Sequence, residues 1–367
     1  MLTEARARTA AGVADALRCV VTRPLPRAVV TIVMSLNLSA CSTGYLLQAA
    51  RGQWQLLRQR QPIERVIEDA RTEEAVKARL RIVREARDFA SAELALPDNP
   101  SYRSYAALGR PYVVWNVIAA PEFSVEPKRW CFPITGCIAY RGYFREQNAR
   151  RYAETLRGQG FDVSVAGVAA YSTLGRFADP VLDTMMRYGE LELVGTIFHE
   201  LAHQLVYVKN DSEFNEAFAM TVEQEGVARW LAAHDRSSEL DGYRERREQQ
   251  RGVVSRFAEG RRRLAALYRE SLALGPRRAR KQQLLGEIGD QVRGYERGLG
   301  IRSGYDAWLD EGLNNAHLAS VATYFDCVPG FQRLLAAQGG ELTRFYAEVR
   351  ALGQGPASAR RALCAGP

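Results

Sequence analysis

Between Leu191 and Val208 the chain carries Leu191, Leu193, Val194, Ile197, Phe198, Leu201, Ala202, Leu205, Val206 and Val208, with His199, Glu200 and His203 set among them. A helix that is apolar around most of its circumference is buried. Burying two imidazoles and a carboxylate there without partners costs several kcal/mol, and a divalent metal removes the difficulty. His199 and His203 are one turn apart and can aim two ring nitrogens at one ion. Glu200, displaced about 100° around the helix, stands beside that ion, where it can take a proton from water.

A tetrahedral catalytic zinc site has three protein ligands and one open position, so a third ligand is expected. The metzincin extension is absent, because Val206 stands where its glycine would be and Lys209 where its third histidine would be. If the first helix ends near Val208 and Asp211 or Ser212 caps a second, His203 and Glu216 both lie roughly 6–8 Å from the turn. In an antiparallel pair they face each other, which makes Glu216 the candidate. Glu213 is the rival, although a carboxylate in the first turn is also favoured by the helix dipole. Further along, Glu223 is a candidate to support a ligand or to bind a substrate amine, and Glu225 reads as a surface carboxylate.

The 367 residues, 47% hydrophobic and 25% charged, have a globular composition. Arg23 and Arg27 precede the apolar run from Ala28 to Cys41, which is too short to span a bilayer and fits a signal-peptide core. Its end, Leu38-Ser39-Ala40-Cys41, resembles a bacterial lipobox, and Cys41 is then the lipidated first residue of the mature protein. The expected location is the bacterial cell envelope, lipid-anchored and facing the periplasm. The leader carries five arginines and two acids, so removing it takes a net +3 from the formal +8 and leaves +5. Most of that surplus lies in mixed Arg/Glu helices, and no aromatic-basic motif points to nucleic acid. In an oxidising compartment, Cys131 and Cys137 flank a Pro- and Gly-containing loop and are expected to form a local disulfide. The pairing of Cys327 and Cys364 stays open.

The pattern predicts an α+β fold, mainly helical, in which a small sheet packs on a zincin-like helix pair and a long C-terminal helical hairpin completes the chain. Residues 1–40 are the expected leader and 41–53 a tether. A single domain over 54–367 divides into a helical arm (54–110), the small sheet (111–180), the zinc-site helices (181–236) and a helical C-terminal part (237–367). Apolar residues at helical spacing mark Trp54–Ala92. Short β-branched or aromatic runs from Tyr112, Cys137 and Phe161 read as strands, with Gln147–Gly158 a helix between two of them. The charge-dense stretch from Leu240 to Arg297 reads as a hairpin broken at Gly275-Pro276.

The run His199-Glu-Leu-Ala-His203 followed by Phe214-Asn-Glu216-Ala-Phe-Ala resembles the gluzincin pattern of zinc metallopeptidases. Together with Cys131, Gly136-Cys137, Tyr140-Arg-Gly-Tyr-Phe144, Ala170-Tyr-Ser-Thr-Leu-Gly175 and Asn314-Asn-Ala316, it is similar to a family of bacterial lipoproteins called "putative aminopeptidases", over essentially the whole mature chain. The resemblance implies one zinc held by His199, His203 and Glu216, Glu200 as general base, and a peptide substrate. One position departs from it: thermolysin-like relatives orient a histidine with an aspartate one turn after the glutamate ligand, and here that position is Met220.

Peptide hydrolysis also needs a donor for the tetrahedral oxyanion. Tyr171, Tyr324, Tyr143 and His317 are candidates, and Arg141, Tyr143 and Glu223 are candidate substrate contacts. An endopeptidase or a cell-wall peptide hydrolase is the alternative within the enzyme class. A lipid-anchored scaffold with an inactive zinc site is the alternative outside it, against which the intact Glu200 argues.

Overall fold

The sheet is built on β3 (Val114–Pro121), whose sequence Val-Trp-Asn-Val-Ile-Ala-Ala-Pro is buried along nearly its whole length. A strand covered on both faces reads as a continuous apolar run. β3 pairs antiparallel with β6 (Arg141–Tyr143) and with β7 (Phe161–Val168), in the order β6-β3-β7. Helix α4 (Glu146–Gly158) packs on β3 and β7. The structure is a computed structural model that describes residues 44–132, 136–170, 172–321 and 327–365. The expected leader with Cys41, and the candidates Tyr171 and Tyr324, lie outside the described residues.

The chain divides after Arg51, and the larger unit is Gly52–Pro367. Helix α1 runs to residue 58 and α2 covers Ile63–Glu68. Between them, β1 (Gln61–Pro62) pairs with β2 (Ser104–Ala106), which pairs in parallel with β8 (Val181–Leu182). The expected helical arm therefore also contributes two short strands. Helix α3 (Glu74–Ala92) buries Leu80, Val83, Ala86 and Ala90, a helical spacing. Arg87 on the same face has no exposure and donates to the carbonyls of Pro97, Asn99 and Ser101. Guanidinium donors satisfied by backbone make burial of this charge tolerable.

The centre of the larger unit is an antiparallel pair, α5 (Glu190–Leu205) and α6 (Ser212–Ala233). Glu192 accepts from the Gly189 N–H at 2.9 Å and Asp211 from that of Phe214, so each helix starts on a carboxylate cap. Gly226 of α6 lets the helices close: a Cβ there would lie 2.6 Å from Phe198 of α5. α3 covers α5, while α11 (Val328–Ala337) covers α6 through Phe331, whose ring lies 5.0 Å from Phe214.

Two disulfides brace the turn between α5 and α6. Cys131–Cys137 joins β4 (Trp130–Phe132) to β5 (Gly136–Ile138), and the Cys137 N–H donates to the side chain of Asn210 at 2.9 Å. Cys327–Cys364 ties α11 to α13 (Ala357–Ala365), and from α13 Arg360 reaches Asp211 at 2.6 Å. Helix α12 (Leu342–Gln354) lies between them in sequence.

α7 (Leu240–Leu267) and α8 (Leu274–Leu299) form the hairpin. Its bend falls at residues 268–273 and not at Gly275-Pro276, which sits in the first turn of α8, where a missing N–H costs nothing. Buried Lys281 fastens the hairpin to the sheet, donating to Asp162 at 2.6 Å and to the Glu122 carbonyl. Asp162 also accepts from Asn315 N, and Asn315 donates to Pro121 O and Glu122 O, which anchors α10 (Asn315–Val321). The buried polar network is thus supplied with partners. The architecture is mainly helical α+β with small sheets. Among the described residues no helix is long and apolar enough to cross a membrane.

Candidate metal centre

His199 and His203 leave α5 on one face, and Glu216 leaves the second turn of α6 toward them. The two Nε2 atoms lie 3.1 Å apart. Glu216 Oε2 is 3.4 Å from His199 Nε2, and its Oε1 is 3.7 Å from His203 Nε2. Zinc ligands at 2.0–2.1 Å in a tetrahedron are about 3.3 Å from one another, so the donor spacing is that of a zinc-sized ion. The three residues form a group able to hold a metal, with His203 buried and the other two partly so. Glu213 lies outside this group, exposed in the first turn of α6.

The electrostatics also call for a cation. Burial pushes the His199 imidazole toward its neutral form, yet the carboxylates of Glu216 and Glu223 outweigh burial and raise its pKa to about 10. Burial favours a protonated Glu216, and its hydrogen bonds to both histidines reverse this and hold it well below the usual carboxylate range. The pair of carboxylates thus favours positive charge at this point, which a proton on His199 or a divalent ion could supply.

Glu223, seven residues beyond Glu216, lies on the same face of α6. Its Oε2 is 3.1 Å from His199 Nδ1. The carboxylate absent at position 220 thus has a counterpart one turn later in Glu223, which faces the outer nitrogen of His199 and also borders the cleft. Carboxylates on the outer nitrogen of a ligating histidine set its tautomer and orientation. The Nδ1 of His203 is buried without a partner, so the two histidines are supported unequally. Glu225 pairs with Arg229 at 2.8 Å and takes no part in the site.

A cleft of about 1150 Å³ opens over the cluster. Thr196, His199, Glu200, Glu216, Met220 and Glu223 form its α5/α6 wall; Tyr243, Arg246, Arg247 and Gln250 of α7 face it, with Tyr305 and, from α9 (Asp306–Glu311), Trp308 alongside. Glu200 is half-buried and borders the same space as the three donors. Arg141 and Tyr143 do not line this cleft. Arg141 lies 4.6 Å over the Tyr152 ring, and Tyr143 is buried on β6. Both pack beside Tyr152, between the sheet and α4. His317 is likewise buried, stacked on Trp308 at 4.7 Å, with its Nδ1 accepting from the Asn314 N–H.

The family model described as "Putative aminopeptidase" matches residues 44–364. The chain belongs to that family. In this aminopeptidase-family protein the matched span contains the whole helix pair, the cleft and both disulfides. No curated protein and no solved structure matches it. Two contacts of the family member's site carry no sequence signal that would find them: Tyr243 and Arg247, one turn apart on α7, lie 3.4 and 3.3 Å from Glu223 Oε1. Nothing in the periodicity of α7 says which of its turns meets α6.

Proposed function

We propose that the protein is a zinc-dependent peptide hydrolase acting as an aminopeptidase. The observation that carries the reading is the convergence of His199, His203 and Glu216 beside a half-buried Glu200 on the same cleft. His199, His203 and Glu216 hold the ion; bound there, zinc supplies Lewis acidity toward a carbonyl and lowers the pKa of water.

The chain's own groups do the rest. Glu200 removes the proton of the attacking water and returns it to the leaving amine, a role open to a carboxylate that is not itself a ligand. Glu223 keeps a proton on His199 Nδ1, so Nε2 presents its lone pair to the ion. The facing α7 wall limits the water that surrounds a bound peptide, which strengthens each charge interaction within the cleft. The family description supports a free N-terminus as the recognised end. We also propose, from the lipobox-like Leu38-Ser39-Ala40-Cys41, that the protein sits at the cell envelope, tethered through Cys41. Loss of palmitate labelling in Cys41→Ala tests that tether.

The deciding experiment measures zinc per chain in the purified protein, wild type beside Glu216→Ala and Glu200→Ala, together with cleavage of a free and an N-acetylated peptide library. One zinc per chain is expected, lost in Glu216→Ala and kept without activity in Glu200→Ala, with cleavage abolished by acetylation. A zinc-free wild type, or activity indifferent to Glu200, overturns the reading. Cleavage of acetylated peptides assigns an endopeptidase instead.

A further inference from the structure

Glu223 is held from three sides. From α5, His199 faces it at 3.1 Å. On α5, Gly195 leaves it room: a Cβ there would stand 3.0 Å from Glu223 Cγ. From α7, the Tyr243 hydroxyl donates to Oε1 at 3.4 Å and the Arg247 guanidinium reaches the same oxygen at 3.3 Å. The Nε of Arg247 is buried without a partner, and Tyr243 is 4% exposed. Tyr243 is thus a core side chain, and Arg247 keeps its Nε buried while its guanidinium borders the cleft. A carboxylate so loaded on one oxygen presents the other to His199 in a single orientation.

We propose that Tyr243 and Arg247 are positioning residues for the metal site, and that through them the α7–α8 hairpin sets how tightly the ion is held. The inference rests on the zinc reading. It differs from ordinary support by the carboxylate alone, because the controlling groups sit on a third helix, outside the ligand pair. Arg247 offsets the Glu223 charge that remains once His199 is neutral and ligating, and Tyr243 supplies the second bond to the same oxygen. The hairpin is itself fastened to the sheet through Lys281, so the wall that carries these residues is not a loose flap.

The test is zinc affinity of the full-length protein by competition with a coloured chelator. Arg247→Met is expected to weaken zinc binding roughly ten- to a hundredfold and Tyr243→Phe several-fold. Arg247→Lys should restore part of the loss, since it returns charge without the planar fork. Arg244→Met, a solvent-facing change on the same helix, should leave affinity unchanged. Cobalt substituted for zinc should show an altered visible spectrum in Arg247→Met and one closer to wild type in Arg247→Lys, which a purely structural role would not produce. Wild type that binds no zinc defeats the zinc reading itself. Wild type that binds zinc, with Arg247→Met and Tyr243→Phe binding it equally well, overturns this proposal and leaves the other standing.

Discussion

The carboxylate of Glu223 meets one nitrogen of His199 at 3.1 Å while the other nitrogen of that ring lies 3.1 Å from His203 Nε2. One imidazole thus links the outer acid to the point where the three donors converge. This arrangement ranks the acids of α6. Glu216→Gln should abolish zinc retention under mild chelation, Glu223→Gln should weaken it roughly ten- to a hundredfold, and Glu213→Ala should leave it intact. Zinc per chain after dialysis against graded chelator measures the ranking. Loss in Glu213→Ala equal to that in Glu216→Gln would mean the wrong carboxylate has been placed on the metal.

Burial pushes the His317 imidazole down, to about 4, and Arg157 adds to the shift. The folded state therefore prefers neutral His317, and the unfolded chain takes up its proton first as pH falls below about 6.5. The stability this neutral form confers is full above that pH and declines toward pH 4, by about 3 kcal/mol in all. Denaturation midpoints recorded from pH 7 to 4 should fall, and fall less in His317→Leu, which starts lower because the Asn314 N–H loses its acceptor. Parallel curves for the two proteins would remove His317 from the account.

Lys281 and Asp162 form a pair with side-chain exposures of 5% and 19%. Removing one member of a buried pair leaves the other charge unmatched, at a cost of about 3–5 kcal/mol. Lys281→Met should lose about 3 kcal/mol in urea unfolding, and the double variant with Asp162→Asn should recover much of it. A double variant no more stable than Lys281→Met would refute the pairing as the cause.

The two disulfides close loops of different length, with sequence separations of 6 and 37. Loop entropy gives about 2 kcal/mol for the shorter and about 4 kcal/mol for the longer. Cys327→Ser should accordingly destabilise the protein more than Cys131→Ser, as read by guanidinium unfolding. Equal losses would show that contacts, not chain closure, govern their contribution.

What the sequence shows of this fold depends on how local each signal is. Short β-branched and apolar runs mark β3 and β7 because a strand's burial is written in its own residues, and α5 is marked by polar side chains in an apolar helix. Glu216 becomes legible because one short turn limits where the next helix can point. Where contacts depend on helices meeting far along the chain, the signal ends. Glu223 is visible as a nearby acid, but its partners Tyr243 and Arg247 belong to a helix whose packing angle no local pattern specifies. Arg141 and Tyr143 illustrate the converse, since residue types suited to binding a peptide pack here beside Tyr152 of α4. The hairpin bend shifts for a related reason: a Gly-Pro pair starts a helix as readily as it ends one.

The turn that separates His203 from Glu216 is grasped by segments remote in sequence. Asn210 accepts from Cys137, 73 residues earlier, and Asp211 holds Arg360, 149 residues later. Each of those segments is locked by its own disulfide. A metal held between these helices would therefore depend on distant pieces having docked and on their thiols having been oxidised. A retained ion would then certify a correctly assembled molecule, and a chain with mispaired or reduced cysteines would be recognisable by its failure to keep one.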